Sequence, residues 1–212
     1  MNVGILGSGE VAQTLASGFL AHGHAVMMGT RTPTKLKEWN GAHPTGKVGS
    51  VADAAKFGTL LVLAVKGTVA GEVLRAAGID HLAGKCIIDT CNPIADAPPE
   101  NGVLRFFTTL DDSLMERLQR QFPAARFVKA FSCVGNSLMV DPQVAGGPPT
   151  MFICGNDAAA KAEVTGILTQ FGWETADLGH ATAARAIEPL AILWCIPGFL
   201  ENDWRHAYKV VR

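Results

Sequence analysis

The sequence predicts an α/β fold in which a doubly wound, mainly parallel sheet is covered by helices on both faces. Apolar segments of strand length alternate with amphipathic segments of helix length, which is the pattern of parallel strands joined by helical crossovers. The run 60–65 is continuously apolar, as expected for a central strand covered on both faces. A glycine-rich turn joins the first strand to the first helix. These three observations carry the fold prediction.

The first two thirds of the chain contain six predicted strands. Gly23 ends the first helix, Thr32 and Pro33 begin the second, and Ser50 begins the third. The proline-rich stretch 93–102 is predicted to be a loop. The predicted strands are 3–6, 25–28, 47–48, 60–65, 86–89 and 127–131. The predicted helices cover about 10–21, 33–39, 50–57, 69–77 and 113–121.

The alternation changes after residue 131, and the glycines and prolines of 146–149 indicate a loop. Strands follow at 151–154 and 173–176, with a helix at 158–171 that Asn156 could cap and further helices from 183 to the end. We expect one domain, 1–212, made of a core of about 1–135 and a small α/β extension of about 136–212.

Composition indicates a folded protein of a reducing compartment. Of 212 residues, 48% are hydrophobic and 17% charged, and the net charge is −1. No run of Lys or Arg could follow nucleic acid or an anionic membrane, so neither is expected as a partner. The five cysteines lack CxxC spacing, and the N-terminus lacks the features of a signal peptide. We therefore expect a cytoplasmic location.

The apolar stretch 187–200 is too short to span a bilayer and contains two prolines. It is interpreted as a helix packed either in the core or against a second subunit, so that a homodimer is possible.

The glycine turn has the spacing GxGxxA and lies directly between a strand and a helix. Gly7 permits the tight turn and Gly9 lets a pyrophosphate approach the backbone, while Ala12 lets the helix pack close to the sheet. The helix N-terminus supplies amide donors and a partial positive charge. This arrangement predicts a Rossmann-type dinucleotide site rather than a merely tight turn.

The residues after the second strand favour NADP over NAD. NAD-binding proteins usually place Asp or Glu there to bind the ribose hydroxyls, whereas this chain has Thr30 and Arg31, with Lys35 one turn further. Thr30 can donate to a 2′-phosphate, Arg31 can cover the adenine, and Lys35 can add charge. The alternative is that both cations are ordinary solvated side chains.

Topology adds candidate contacts, because ligands of open α/β sheets bind beyond the carboxyl ends of the strands. Lys66 could touch a phosphate or simply be exposed. Asn92, before Pro93, could start a turn, but its place at a strand end favours nicotinamide or ribose contact. The candidate strand ends are Ala64-Val65-Lys66, Thr90-Cys91-Asn92-Pro93 and Ala130-Phe131-Ser132.

The chain resembles, over nearly its whole length, the NADP-dependent oxidoreductases typified by the deazaflavin (coenzyme F420)-dependent NADP reductase. The segments that carry the resemblance are GILGSGEVAQTLA, GTR, IIDTCNP, FVKAF, ICGND, DLG and IEPLAILW. The resemblance implies NADP as cofactor and a small-molecule electron acceptor or donor, with direct hydride transfer between nicotinamide and a second flat ring. Such a reaction depends on alignment and exclusion of water more than on a side-chain acid or base.

The same resemblance assigns roles to individual residues. The pyrophosphate turn is Gly7, Ser8, Gly9, Glu10 and Val11. The 2′-phosphate residues are Thr30, Arg31 and Lys35, and the nicotinamide side is Ala64, Val65 and Ala130. Family members commonly have proline where this chain has Lys66, which affects the expected shape of the nicotinamide pocket.

No triad, metal cluster or carboxylate pair is evident, and no catalytic residue is predicted. His180 near Asp177 is more typical of a polar surface turn. We expect the acceptor near Asn136, Leu138 and the segment 183–194.

Three other functions remain open. An imine or β-hydroxyacid reductase would normally add a large helical domain, and only about 30 residues follow Gly179. A flavin or ferric reductase module, like the cytosolic domain of membrane-bound metalloreductases, would use the same NADP site. A non-catalytic NADP(H) sensor would also need the same glycine turn.

Overall fold

Eight strands form one sheet in the structure, a computed structural model that describes residues 1–211. The strands are β1 (Asn2–Leu6), β2 (Ala25–Gly29), β3 (Lys47–Gly49), β4 (Leu60–Leu63), β5 (Cys86–Asp89), β6 (Arg126–Lys129), β7 (Thr150–Gly155) and β8 (Glu174–Asp177). Their order is β3-β2-β1-β4-β5-β6-β7-β8. Neighbouring strands are parallel except for the antiparallel pair β6 and β7. The predicted α/β fold with a mainly parallel sheet is confirmed.

Helices cover both faces of this sheet. They are α1 (Glu10–Ala21), α2 (Lys37–Ala42), α3 (Val51–Phe57), α4 (Ala70–Ala77), α5 (Ile79–Leu82), α6 (Leu114–Gln121), α7 (Ala158–Gln170), α8 (Ala184–Ile187) and α9 (Leu190–Glu201). Short 3₁₀ turns occur at 33–36, 67–69, 136–138 and 181–183. One apolar cluster joins α1 and α7 to the sheet, and a second joins α3, α4, α6 and α8 to its other face. Burial on both faces explains the continuously apolar strands.

The structure corrects the expected cap of α7 and the expected extent of the C-terminal helices. Asp157, not Asn156, caps α7, because its Oδ1 accepts a hydrogen bond from Ala160 N–H at 2.7 Å. Asn156 Oδ1 instead accepts from Ala181 N–H at 3.0 Å. Helical structure does not continue to the C-terminus, since α9 ends where Asn202 adopts a left-handed conformation (φ 57°).

The sixth strand ends at Lys129 rather than at residue 131. Phe131 has φ 61°, which a bulky side chain rarely adopts, and the chain therefore leaves the strand direction. Its N–H points to Met151 Sδ at 3.1 Å, a weak acceptor, rather than to a neighbouring strand.

Within residues 1–211, the helical segment Ala181–Glu201 is long and apolar enough to cross a membrane by length and composition alone. The mean hydropathy of its most apolar window is 1.4, and 33% of that window is buried inside the protein. Core helices of soluble proteins also meet this criterion.

Candidate functional site

The turn after β1 is shaped by two glycines with different roles. Gly7 has φ 146°, and a Cβ there would overlap the Ala64 carbonyl oxygen, so the close approach of the β1 and β4 ends requires glycine. Gly9 has an ordinary extended conformation, and a Cβ there would meet nothing within 4 Å. Gly7 is therefore needed by the fold, whereas Gly9 leaves open space above the turn.

The N-terminus of α1 has backbone donors available for a ligand. The first helical hydrogen bond runs from Gln13 N–H to the Gly9 carbonyl oxygen at 3.0 Å, which leaves the preceding amides without helical partners. No side chain in residues 1–211 caps this terminus. Glu10 is exposed, so its contribution would come from its amide. Free amides facing open space fit the pyrophosphate of a dinucleotide.

Thr30 joins the glycine turn to the loop after β2. Its Oγ1 lies 3.1 Å from Ser8 Oγ and accepts a hydrogen bond from Thr32 N–H at 3.1 Å. Thr30 is 8% exposed, whereas Arg31 and Lys35 are fully on the surface. Among residues 1–211, neither cation forms an ion pair within 4.0 Å, so both charges are available to an anion next to the turn.

The end of β4 contributes an apolar wall beside the turn. Ala64 is buried and Val65 half-buried, and Ala64 N–H donates to the Leu6 carbonyl oxygen at 3.0 Å. Lys66 lies outside this wall: its ammonium is 3.7 Å from Asp96, and both side chains are more than three-quarters exposed. Such a pair contributes little to stability.

The ends of β5 and β6 meet through Asn92 and Ser132. Asn92 Nδ2 donates to the Ser132 carbonyl oxygen at 2.7 Å. Asn92 Oδ1, the other polar atom of the amide, and Ser132 Oγ are both buried and have no hydrogen-bond partner among residues 1–211. Pro93 and Ala130 are buried beside them. Two unpaired polar atoms therefore lie at the edge where the sheet topology places a ligand.

Beneath this edge lies a buried ion network that the sequence analysis missed. Lys129 Nζ is 2.7 Å from Asp89 Oδ2 and 2.9 Å from Glu188 Oε1, and the three side chains are at most 2% exposed. Lys129 also donates a hydrogen bond to the Cys91 carbonyl oxygen at 2.8 Å. The distance from Lys129 Nζ to Asp89 Oδ2 is that of an ion pair. The angle at this contact is unfavourable for a hydrogen bond.

Glu188 extends the network to the C-terminal part of the chain. Its two carboxylate oxygens accept hydrogen bonds from Leu114 N–H and Met115 N–H, each at 3.0 Å, at the start of α6. Burial alone would lower the pKa of Lys129, but the attraction of Asp89 and Glu188 outweighs it and raises that pKa. Lys129 therefore stays charged and ties β5, β6, α6 and the end of α8 together.

A sequence signal for this network does exist. Asp89 and Lys129 are the last residues of the parallel strands β5 and β6, and the register places them opposite each other. Two opposite charges at facing positions of adjacent buried strands predict an ion pair.

The buried thiols and the turn from Asp177 to His180 are not arranged for acid, base or nucleophilic catalysis. Burial raises the pKa of the Cys133 and Cys154 thiols to about 12, so both are protonated near neutral pH. Asp177 pairs with Lys161 at 2.9 Å and accepts from Gly179 N–H, rather than orienting His180. No group of three His, Cys, Asp or Glu in residues 1–211 could hold a metal ion.

Two side chains in the expected acceptor region are buried. Leu138 is 2% exposed and Trp194 is 7% exposed. Trp194 packs beside Gly135, where a Cβ would lie 2.5 Å from the indole, and its Nε1 donates to the His206 carbonyl oxygen at 2.8 Å. Both side chains pack in the core, and the position of the acceptor near Asn136, Leu138 and 183–194 stays a prediction.

Comparisons with known proteins agree with this geometry. Residues 2–93 match the family described as NADP oxidoreductase, coenzyme F420-dependent. A candidate F420-dependent NADP reductase from Arthrobacter sp. FB24 has 36% sequence identity and a TM-score of 0.92, with 99% of each chain covered. A reductive aminase from Aspergillus terreus, at 20% identity and a TM-score of 0.68, shares the fold over 95% of this chain and 62% of its own.

The metalloreductase STEAP3 from Rattus norvegicus is 30% identical over 204 residues, which are 93% of this chain. The chain spans 38% of that protein's length, and 36% of the length of human STEAP2. The family match and the likeness to the Arthrobacter protein over 99% of each chain make the chain an NADP-dependent oxidoreductase.

The match to the Arthrobacter protein covers 99% of both chains. Its sequence identity of 36% means that the likeness goes beyond the fold. The chain belongs to the family of coenzyme F420-dependent NADP oxidoreductases.

Proposed function

We propose that this protein binds NADP(H) across the carboxyl edge of β1, β2, β4, β5 and β6. The observation that carries the proposal is the N-terminus of α1, where free amides face open space above Gly9. The pyrophosphate would bind the turn formed by Gly7, Ser8, Gly9, Glu10 and Val11.

The 2′-phosphate would bind the loop after β2. Thr30 orders this loop through Ser8 and Thr32, and the exposed cations Arg31 and Lys35 supply charge that no carboxylate in residues 1–211 neutralises. A guanidinium and an ammonium favour a phosphate over the neutral ribose hydroxyls of NAD.

The nicotinamide would lie against the remaining strand ends, Ala64, Val65, Lys66, Asn92, Pro93 and Ala130. Buried apolar walls at Ala64 and Ala130 exclude water from one side of this region. NADPH supplies a hydride when bound. The protein's part is to orient the ring and keep water away, since direct hydride transfer depends on alignment more than on a side-chain acid or base.

We propose a deazaflavin or similar flat-ring molecule as the second substrate. The support is the likeness to the Arthrobacter protein, which extends over the full length of both chains. The likeness to STEAP3 favours a second candidate, a flavin or ferric-ion acceptor at the same NADP site. Both are small-molecule redox partners.

An acceptor panel tests this proposal. Purified protein is mixed with NADPH and, separately, with a deazaflavin, with flavins, with a ferric chelate and with quinones, and the loss of NADPH absorbance is followed. Oxidation that requires the deazaflavin supports the first candidate, whereas oxidation with flavin or ferric ion supports the second. Tight NADPH binding without turnover on any acceptor would contradict both and indicate a sensor.

We propose, further, that residues 1–212 act as a single cytoplasmic domain, and that two copies associate through α9. Leu193, Phe199 and Leu200 on this helix are 44–60% exposed, which is unusual for large apolar side chains. A mass measurement in solution distinguishes monomer from dimer, and a monomer at micromolar concentration would contradict the dimer.

A further inference from the structure

The two unpaired polar atoms at the ends of β5 and β6 differ from the rest of the strand-end edge. Ser132 is 3% exposed, and its Oγ has no hydrogen-bond partner. Asn92 Oδ1 is likewise buried and unpaired. A buried polar group without a partner destabilises the protein, because it loses its hydrogen bonds to water and gains none in return. By contrast, the Thr90 hydroxyl beside them donates to the Leu63 carbonyl oxygen at 3.0 Å.

The orientation of the Asn92 amide follows from its neighbour. The atom that lies 2.7 Å from the Ser132 carbonyl oxygen must be the NH₂ group, because a second oxygen there would be repelled. The amide oxygen is thereby left as an acceptor. Pro93 restricts the backbone of Asn92 to extended conformations, which holds this amide in place.

The backbone around Ser132 is also unusual. Phe131 adopts φ 61°, a strained conformation for a bulky residue, and such conformations cluster at functional sites. The turn takes the chain out of β6 immediately after Ala130. It brings the Ser132 carbonyl oxygen to Asn92 and leaves the Ser132 hydroxyl free to donate.

We propose that Ser132 is a cofactor-positioning residue that, together with Asn92, holds the carboxamide of the nicotinamide ring. A carboxamide has one acceptor oxygen and one NH₂ donor group. The Ser132 hydroxyl donates to that oxygen, and Asn92 Oδ1 accepts from that NH₂ group. Fixing the carboxamide fixes the rotation of the ring and the face it presents to the acceptor. This inference rests on the proposed NADP(H) site.

Cofactor analogues test each contact separately. The thionicotinamide analogue of NADP⁺ replaces the carboxamide oxygen by sulfur, a weaker acceptor, and the 3-acetylpyridine analogue replaces the NH₂ group by methyl. Dissociation constants are measured by calorimetry for NADP⁺ and both analogues, with the unmodified protein, Ser132→Ala and Asn92→Leu. The exposed residue Ser137 supplies a control variant, Ser137→Ala.

The unmodified protein should bind each analogue about 5–10-fold more weakly than NADP⁺, equivalent to roughly one neutral hydrogen bond. Ser132→Ala should abolish the preference over the thionicotinamide analogue and keep the preference over the acetylpyridine analogue, and Asn92→Leu should do the reverse. Ser137→Ala should change neither ratio. Because Ser132 Oγ is buried without a partner in residues 1–211, Ser132→Ala should unfold at the same or a higher temperature than the unmodified protein.

Unchanged ratios in Ser132→Ala and Asn92→Leu, with NADP⁺ still bound, would overturn the carboxamide contacts and indicate a buried water at these atoms. Failure of the unmodified protein to bind NADP⁺ or either analogue would instead overturn the proposed cofactor site. The two failures are therefore distinguishable.

Discussion

The strand-end edge and the buried Lys129 network beneath it differ in whether their polar groups are paired. The edge contains the amides at the start of α1, the cations Arg31 and Lys35, and the Asn92 and Ser132 side-chain oxygens, and within the described part of the chain these groups lack partners. In the network, Lys129 has three oxygen partners within 2.9 Å, and both oxygens of Glu188 accept backbone hydrogen bonds. The two regions are joined through Cys91, whose carbonyl oxygen binds Lys129 and which precedes Asn92 in the chain.

This difference suggests that the network determines folding stability and that the edge determines ligand binding. Unpaired donors and acceptors reduce the stability of the free protein, and they persist where a ligand will use them. Fully paired buried charges contribute little net stability, but removing one partner is costly, so they hold neighbouring elements in a fixed relation. Substitutions in the network should therefore change folding, and substitutions at the edge should change binding.

The largest expected effect is on folding, from Lys129→Met. This change leaves Asp89 and Glu188 buried without their cation, and we expect the free energy of unfolding to fall by about 3–5 kcal/mol. Denaturant unfolding measures the loss. Lys66→Met, which removes an exposed cation, is the matched control and should change stability by no more than about 0.5 kcal/mol. Equal effects of the two substitutions would contradict a structural role for the network.

The next effect is on binding, from Gly9→Ala. The added Cβ meets no protein atom, so the unfolding temperature should stay the same while NADPH affinity falls by roughly 10–100-fold, because the methyl group occupies the pyrophosphate space. Fluorescence titration of NADPH measures this change. Gly41→Ala, another site where a Cβ meets nothing, should not alter affinity. If Gly9→Ala bound NADPH as the unmodified protein does, the pyrophosphate could not lie at this turn.

A more selective effect is expected from Arg31→Glu. The new carboxylate would repel the 2′-phosphate, so the dissociation constant for NADPH should rise about 10-fold more than that for NADH. Parallel titrations with the two cofactors measure the ratio. Equal losses for NADPH and NADH would remove Arg31 from the phosphate site.

The smallest expected effect is on the pH dependence of folding. The Arg185 guanidinium and the Ser113 hydrogen bonds outweigh burial and lower the pKa of Glu116 from 4.5 to about 2. A carboxylate with a lowered pKa stabilises the fold above its unfolded pKa, and this contribution is lost as the pH falls from about 4.5 towards 2.

Unfolding measured across this pH range should have a shallower slope in Glu116→Gln than in the unmodified protein. Asp53→Asn alters the equivalent cap of α3, where Asp53 is exposed, and should flatten the slope less. A slope in Glu116→Gln as steep as that of the unmodified protein would show that the Arg185 contact does not act in this way.

The sequence predicted local features far better than distant contacts. The glycine turn, the first helix and the apolar strands follow from residues close together in the chain, and their bounds agree with the structure to within about two residues for most elements. The Lys129 network joins residues 89, 129 and 188, so no local pattern reveals Glu188 as a partner.

In the candidate site, too, the sequence predicted the local features and not the distant contacts. Arg31 and Lys35 follow from their place after the second strand, and the structure leaves them exposed as the proposal needs. Ser132 could not be predicted as distinct from other serines at strand ends. Its significance depends on the unusual backbone at Phe131 and on a hydrogen bond to Asn92 across 40 residues.

A crystal structure of the protein with NADP⁺ tests most directly whether the unpaired groups of the strand-end edge bind the cofactor. The pyrophosphate should lie within hydrogen-bond distance of the amides at the start of α1, the 2′-phosphate beside Arg31, and the carboxamide between Asn92 Oδ1 and Ser132 Oγ. A dinucleotide bound away from this edge, with these groups still unpaired, would contradict the assignment.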